Sequence, residues 1–175
     1  MFDQYILYVG ERKGYKNFMP WLDAIRPLLS ADSKLKVVCT GSPFTQAELS
    51  QFTEWGIAGR ILHISANDAQ MASLYRHALC FVYPSLYEGF GIPILEAFTN
   101  GCPVCLSDAS CFPEVASDAA LYFNPNDANS MYSTMKELLE SSSLRCELSA
   151  KGTLRVKEFS IERMVEQTCN VYRKL

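Results

Sequence analysis

Two carboxylates and two glycines stand close together in the stretch Tyr87-Glu88-Gly89-Phe90-Gly91-Ile92-Pro93-Ile94-Leu95-Glu96-Ala97. Pro93 suits the first position of a helix, where its missing N–H leaves no bond unmade. The backbone amides from Gly91 to Ile94 are then expected to stay free at the positive end of that helix, an arrangement that holds phosphate without a metal. Gly89 and Gly91 lack a Cβ, so a ligand can come close to the main chain. Glu88 lies ahead of the glycines and Glu96 one turn inside the helix, on different elements, so they are not a pair sharing one proton. Glu96 is placed to accept hydrogen bonds from vicinal hydroxyls such as those of a ribose, and Glu88 to hold hydroxyls beyond the phosphates. The alternative has Glu88 capping the turn and Glu96 complementing the helix dipole.

A second segment, Gly10-Glu11-Arg12-Lys13-Gly14-Tyr15-Lys16-Asn17, concentrates three cations in a chain of net charge −3. A diphosphate would account for Arg12, Lys13 and Lys16, each charge-assisted contact contributing about 1.5–3 kcal/mol. The plainer alternative is a solvated basic loop. Asn17 reads as the N-cap of the following helix. Gly10 and Gly14 alone do not make the G-x-G-x-x-G turn of dinucleotide-binding proteins, and the Gly-Lys-Ser/Thr ending of a P-loop is missing.

These segments need a scaffold that brings them together. Short apolar runs at Tyr5–Val9, Leu35–Thr40, Arg60–Ile64, Cys80–Tyr83, Pro103–Leu106 and Leu121–Phe123 read as six strands. Helical spacing marks Asn17–Leu29 and Ile92–Thr99, while Thr45-Gln46-Ala47-Glu48 and Asn67-Asp68-Ala69-Gln70 read as capping boxes opening helices to about Trp55 and His77. Three more helices are expected at Asn129–Glu140, Leu144–Phe159 and from Ser160 to about Arg173. Strands alternating with helices imply parallel crossovers. The fold class predicted is α/β, an open doubly wound parallel sheet of about six strands, Rossmann-like, with extra C-terminal helices and one domain over residues 1–175. Ligands of such sheets sit beyond the carboxyl ends of the strands, where strand order reverses. That points to the loops after the first and fourth strands.

Composition excludes other classes. With 175 residues, 49% hydrophobic and 20% charged, the chain can bury a genuine core. No apolar run reaches the roughly 18 residues of a membrane span, and Met1-Phe2-Asp3-Gln4 does not read as the start of a secretion signal. A pI near 5.4 argues against general nucleic-acid binding. Cys102 and Cys105 form a lone C-x-x-C far in sequence from His63 and His77, too few ligands for a zinc site. The seven cysteines therefore read as small hydrophobes or bystanders.

The sequence Pro84-Ser85-x-x-Glu88-Gly89-Phe90-Gly91-x-Pro93-x-x-Glu96-Ala97 resembles the E-x7-E signature of the family 4 (group 1) glycosyltransferases. Tyr8-Val9-Gly10 through Lys16-Asn17, Gly101-Cys102-Pro103-Val104, Pro113-Glu114-Val115, Asn124-Pro125-Asn126-Asp127 and Phe159-Ser160 through Tyr172 resemble further tracts of that family. The resemblance implies the C-terminal, donor-binding half of a two-domain GT-B enzyme, with the N-terminal acceptor-binding domain absent from this chain. By that analogy the catalytic residues are Glu88, Lys16 and Arg12. Lys16 and Arg12 neutralise the diphosphate of a UDP-, GDP- or ADP-sugar, although Glu11 stands where many relatives have Arg. Glu88 and main-chain groups of Gly89, Phe90 and Gly91 meet the transferred sugar, and Glu96 the nucleoside ribose. Gly10, Ile92 and Leu95 complete the binding residues. The base lies near Ile64 and Ser65-Ala66-Asn67. The expected chemistry is retaining transfer in polysaccharide or glycoconjugate synthesis, with no cofactor and no divalent metal. The expected location is the cytoplasm, extending to the inner face of the membrane through the absent half. A sugar-nucleotide 2-epimerase and a non-catalytic nucleotide-binding module are the alternatives.

Overall fold

The computed structural model describes residues 4–173; the opening Met1-Phe2-Asp3, read above for targeting, lies outside the described residues. The chain forms β1 (Tyr5–Tyr8), α1 (Phe18–Ala31), β2 (Lys36–Cys39), α2 (Gln46–Glu54), β3 (Ile61–His63) and α3 (Asp68–His77). It continues through β4 (Cys80–Tyr83), α4 (Ile92–Thr99), β5 (Val104–Ser107), α5 (Phe112–Ala116) and β6 (Ala120–Phe123). It closes with α6 (Ala128–Glu140), α7 (Ser142–Arg155) and α8 (Ile161–Tyr172).

The six strands make one parallel sheet in the order β3-β2-β1-β4-β5-β6. Alternation along the strands builds a core on each face. Ile6 and Tyr8, Val37 and Cys39, and Cys80 and Val82 meet Phe18, Trp21, Phe52, Met131 and Met135 on one side. Tyr5 and Leu7, Phe81 and Tyr83, and Val104 and Leu106 meet Tyr75, Ile94, Phe98 and Phe112 on the other. Strands covered on both faces read as continuous apolar runs, which is why they were visible in the sequence.

Both expected capping boxes form. The Thr45 hydroxyl accepts from the Glu48 N–H at 3.3 Å while the Glu48 carboxylate accepts from the Thr45 N–H at 2.7 Å. Asn67 and Gln70 exchange the equivalent bonds at 2.9 and 3.0 Å.

Three expectations need correction. Asn17 precedes α1, but its side chain caps nothing; it sits at φ 55° and its Nδ2 donates to the Pro125 carbonyl at 2.9 Å. The helix expected over Leu144–Phe159 runs over Ser142–Arg155 and then tightens to a 3-10 turn at Val156–Phe159. The short α5 was not expected at all. Cys39, Cys80, Cys102 and Cys105 are buried within the sheet region, and burial pushes their thiols up, that of Cys80 to about 12. Among the described residues no helix is long and apolar enough to cross a membrane.

Candidate nucleotide-sugar site

Strand order reverses at β1, whose neighbours are β2 and β4, so the loops following β1 and β4 part at the carboxyl edge of the sheet. Gly10 opens the first loop at φ 115°, and Gly41, after β2, packs against its backbone. A Cβ on Gly41 would stand 2.7 Å from the Gly10 carbonyl oxygen, so this approach requires glycine. The second loop begins with the buried Pro84 and Ser85 and is tied to the first where the Leu86 N–H donates to the Tyr15 carbonyl at 2.7 Å.

Across this tie, Lys16 and Glu88 meet. Nζ of Lys16 lies 2.7 Å from Oε1 of Glu88 and donates to the Tyr83 hydroxyl at 3.4 Å. Both charged side chains keep a window to solvent, 16% and 12% exposed. Tyr83 ends β4 with its ring on Phe112, centroids 5.1 Å apart. Burial first, then the hydrogen bond and charge of Glu88, push its phenol well up, so it stays protonated. The Glu88 main chain is held from behind: its carbonyl accepts from Ser110 Oγ at 2.7 Å and from Cys111 Sγ at 3.3 Å. Nothing in the spacing of residues 84–97 announces Ser110 or Cys111, which arrive from the loop after β5.

Beyond Glu88, the N–H groups of Gly89, Phe90, Gly91 and Ile92 have no hydrogen-bonding partner among the described residues. Ile94 differs from expectation, since its N–H donates to the Gly91 carbonyl at 2.9 Å. The row of free amides therefore lies two residues earlier than the sequence suggested. Gly91 caps α4 at φ 94°, and a Cβ there would meet Ile94 Cδ1 at 2.9 Å. Any side chain at that position would strain the turn.

Glu96, on the exposed side of α4, borders a hollow of about 370 Å³ lined also by Val9, Gly10, Thr40, Gly41, Ser65, Ala66 and Met71. The Tyr75 hydroxyl donates to Oε2 of Glu96 at 2.9 Å. Tyr75 falls inside the helix expected after Asn67 and was not singled out; a buried tyrosine hydroxyl needs a polar partner, here Glu96.

The remaining expected residues divide. Arg12 is 5% exposed and faces the loop after β2: Nε pairs with Oε1 of Glu48 at 2.7 Å, and Nη2 donates to the carbonyls of Ser42 and Pro43 at 2.8 and 2.9 Å. Nε and Nη2 thus serve the fold, whereas the buried Nη1 has no hydrogen-bond partner among the described residues. Glu11 accepts from the Ser42 hydroxyl. The Asn67 side-chain oxygen is taken up by the cap of α3, and Ile64 and Leu95 pack against the second core rather than lining the hollow. Phe90 and Ile92 are exposed beside the free amides.

A family model described as "Glycosyl transferases group 1" matches residues 2–155. The chain belongs to that family. Among curated relatives, this group 1 glycosyltransferase chain is 36% identical to O-antigen chain mannosyltransferase B of Escherichia coli, over 98% of the chain and 46% of the relative. It is 33% identical to the MMP alpha-(1->4)-mannosyltransferase of Mycolicibacterium hassiacum, over 82% of the chain and 36% of the relative. The chain thus spans less than half the length of these curated relatives.

Solved structures agree on the fold. The C-terminal domain of a group 1 family glycosyl transferase from Francisella tularensis superposes with a TM-score of 0.79 at 24% identity, covering 90% of this chain and 87% of that one. Sucrose-phosphate synthase from Thermosynechococcus elongatus gives 0.80 at 23% identity, covering 98% of this chain and 45% of that one.

Proposed function

We propose that this chain is the donor-binding half of a retaining glycosyltransferase that moves a sugar from a nucleoside diphosphate to an acceptor hydroxyl without a divalent metal. The observation that carries the reading is the Lys16–Glu88 pair, formed across the switch point between residues 72 apart in sequence. An ammonium group has three N–H donors. Lys16 can therefore keep Glu88 and still donate to an oxygen of the departing diphosphate, whose negative charge grows as the bond to the sugar breaks. The free amides of Gly89 to Ile92 add uncharged donors, whose partial positive charges at a helix N-terminus would take over part of the charge stabilisation a metal ion otherwise supplies. Glu88, fixed by Lys16 on one oxygen, offers the other to hydroxyls of the transferred sugar.

Glu96 and the hollow beside it suit a nucleoside: the carboxylate for the ribose, and Thr40, Ser65, Ala66 and Met71 around the base. The names of the curated relatives favour mannose as the sugar and transfer over epimerisation, with O-antigen-type polysaccharide as the kind of product. The cytoplasmic face of a membrane is where such a product would be assembled.

A thermal-shift screen of GDP-mannose, UDP-glucose and ADP-glucose against the chain tests the reading. A ligand at about 100 times its Kd should raise the melting temperature by roughly 5 °C or more. GDP-mannose is expected to give the largest rise, and no rise with any of the three would overturn the assignment.

A further inference from the structure

Tyr75 lies on the core-facing side of α3, 1% exposed, with its ring edge-on to Phe81 at a centroid distance of 5.6 Å. Its hydroxyl donates to Oε2 of Glu96 at 2.9 Å. Glu96 is exposed and makes no ion pair among the described residues. It stands between two hollows, the one of about 370 Å³ already described and a smaller one of about 170 Å³ bounded by Asp68, Met71, Ala72, Tyr75 and Asn100. An exposed glutamate with nothing to hold it samples many rotamers, and a ligand that must freeze it binds less tightly. A carboxylate oxygen has two lone pairs, so Oε2 can accept from Tyr75 and from a ligand hydroxyl at once.

We infer that Tyr75 is a positioning residue for nucleotide recognition: its hydroxyl holds the Glu96 carboxylate between the two hollows, so that both oxygens meet the vicinal hydroxyls of a ribose. The inference rests on the reading of Glu96 as the ribose contact. Burial, then the charge and hydrogen bond of Glu96, push the Tyr75 phenol well up, so it remains a donor at every working pH. A purely structural tyrosine would hold α3 against α4 whatever the ligand; a positioning tyrosine also sets how sharply the site distinguishes ribose from deoxyribose.

Calorimetric titration separates the two. GDP, UDP, their 2′-deoxy forms and inorganic pyrophosphate are titrated into wild type, Tyr75→Phe and Glu96→Ala. Wild type should bind its preferred nucleotide about tenfold more tightly than the 2′-deoxy form. In Tyr75→Phe this ratio should fall to about threefold while pyrophosphate affinity stays unchanged. Phe keeps the ring on Phe81; should that variant lose its fold, Tyr75→Met fills the space without a donor and gives the same readout. A wild-type ratio retained in the Tyr75 variants, with Glu96→Ala abolishing it, overturns the role of Tyr75 and leaves Glu96 standing. A ratio that survives Glu96→Ala, or is near one in wild type, overturns both.

Discussion

Two cations in the loop after β1 each meet a glutamate at 2.7 Å, yet the two pairs occupy different settings. Arg12 turns toward α2, where its planar fork is matched by Glu48 and two carbonyls, and its side chain is 3% exposed. Lys16 turns toward the second loop, where Glu88 and Tyr83 leave part of the ammonium open to the crevice. Guanidinium offers its donors in a rigid plane and suits acceptors fixed by the fold, here reached by Nε and Nη2 while Nη1 stays unpartnered among the described residues; ammonium is a point charge that can add a partner without moving. The first pair ties the loop after β1 to α2, and on the proposed reading the second belongs to the surface that meets the donor.

The comparison breaks if the two cations can exchange roles. Arg12→Met leaves Glu48 without its main cation in a largely buried position, and should cost about 3 kcal/mol of stability. That corresponds to a melting temperature lower by roughly 6–12 °C, while nucleotide affinity of the folded fraction changes little. Lys16→Ala should do the reverse. Donor affinity is expected to weaken about 10- to 100-fold in calorimetry, with melting displaced by no more than about 2 °C, since the pair it breaks retains contact with water.

A smaller effect sharpens the contrast through pH. Burial pushes the Glu48 carboxyl up, but hydrogen bonds from Arg12 and from the Thr45 N–H and hydroxyl outweigh it, and the group is held below its usual 4.5. A carboxyl lowered by folding contributes stability above its unfolded pKa and loses it as pH falls through the folded value. Glu48→Gln should therefore be less stable than wild type at neutral pH, and the gap should close as pH drops below about 4.5. Denaturant midpoints measured from neutral to acid pH would show whether it does.

Much of the scaffold was legible because the physics that builds it is local. Buried parallel strands are apolar throughout, and the boxes at Thr45/Glu48 and Asn67/Gln70 need only four residues to declare themselves. Helix α5 escaped because five residues are too few to display a helical period. The loop after β1 was harder to read for a different reason. Gly10, Gly14 and Asn17 all adopt positive φ, at 115°, 55° and 55°, so the chain changes direction repeatedly and neighbouring cations face different ways. Spacing could show three cations in one loop, not that Arg12 would find Glu48 while Lys16 found Glu88. The E-x7-E stretch gave its glycines and acids from sequence, but Ser110 and Cys111 from the loop after β5, Tyr83 from β4 and Tyr75 from α3, which hold those acids in place, carry no local mark.

The most direct test follows backbone amide resonances of the isotope-labelled chain during titration with GDP-mannose. The account predicts shifts concentrated at Gly10, Lys16, Gly89, Phe90, Gly91 and Ile92, absent in Lys16→Ala at the same ligand concentration. Shifts confined to the opposite end of the sheet, around the hollow lined by Leu28, Leu35, Leu79 and Leu139, would contradict it.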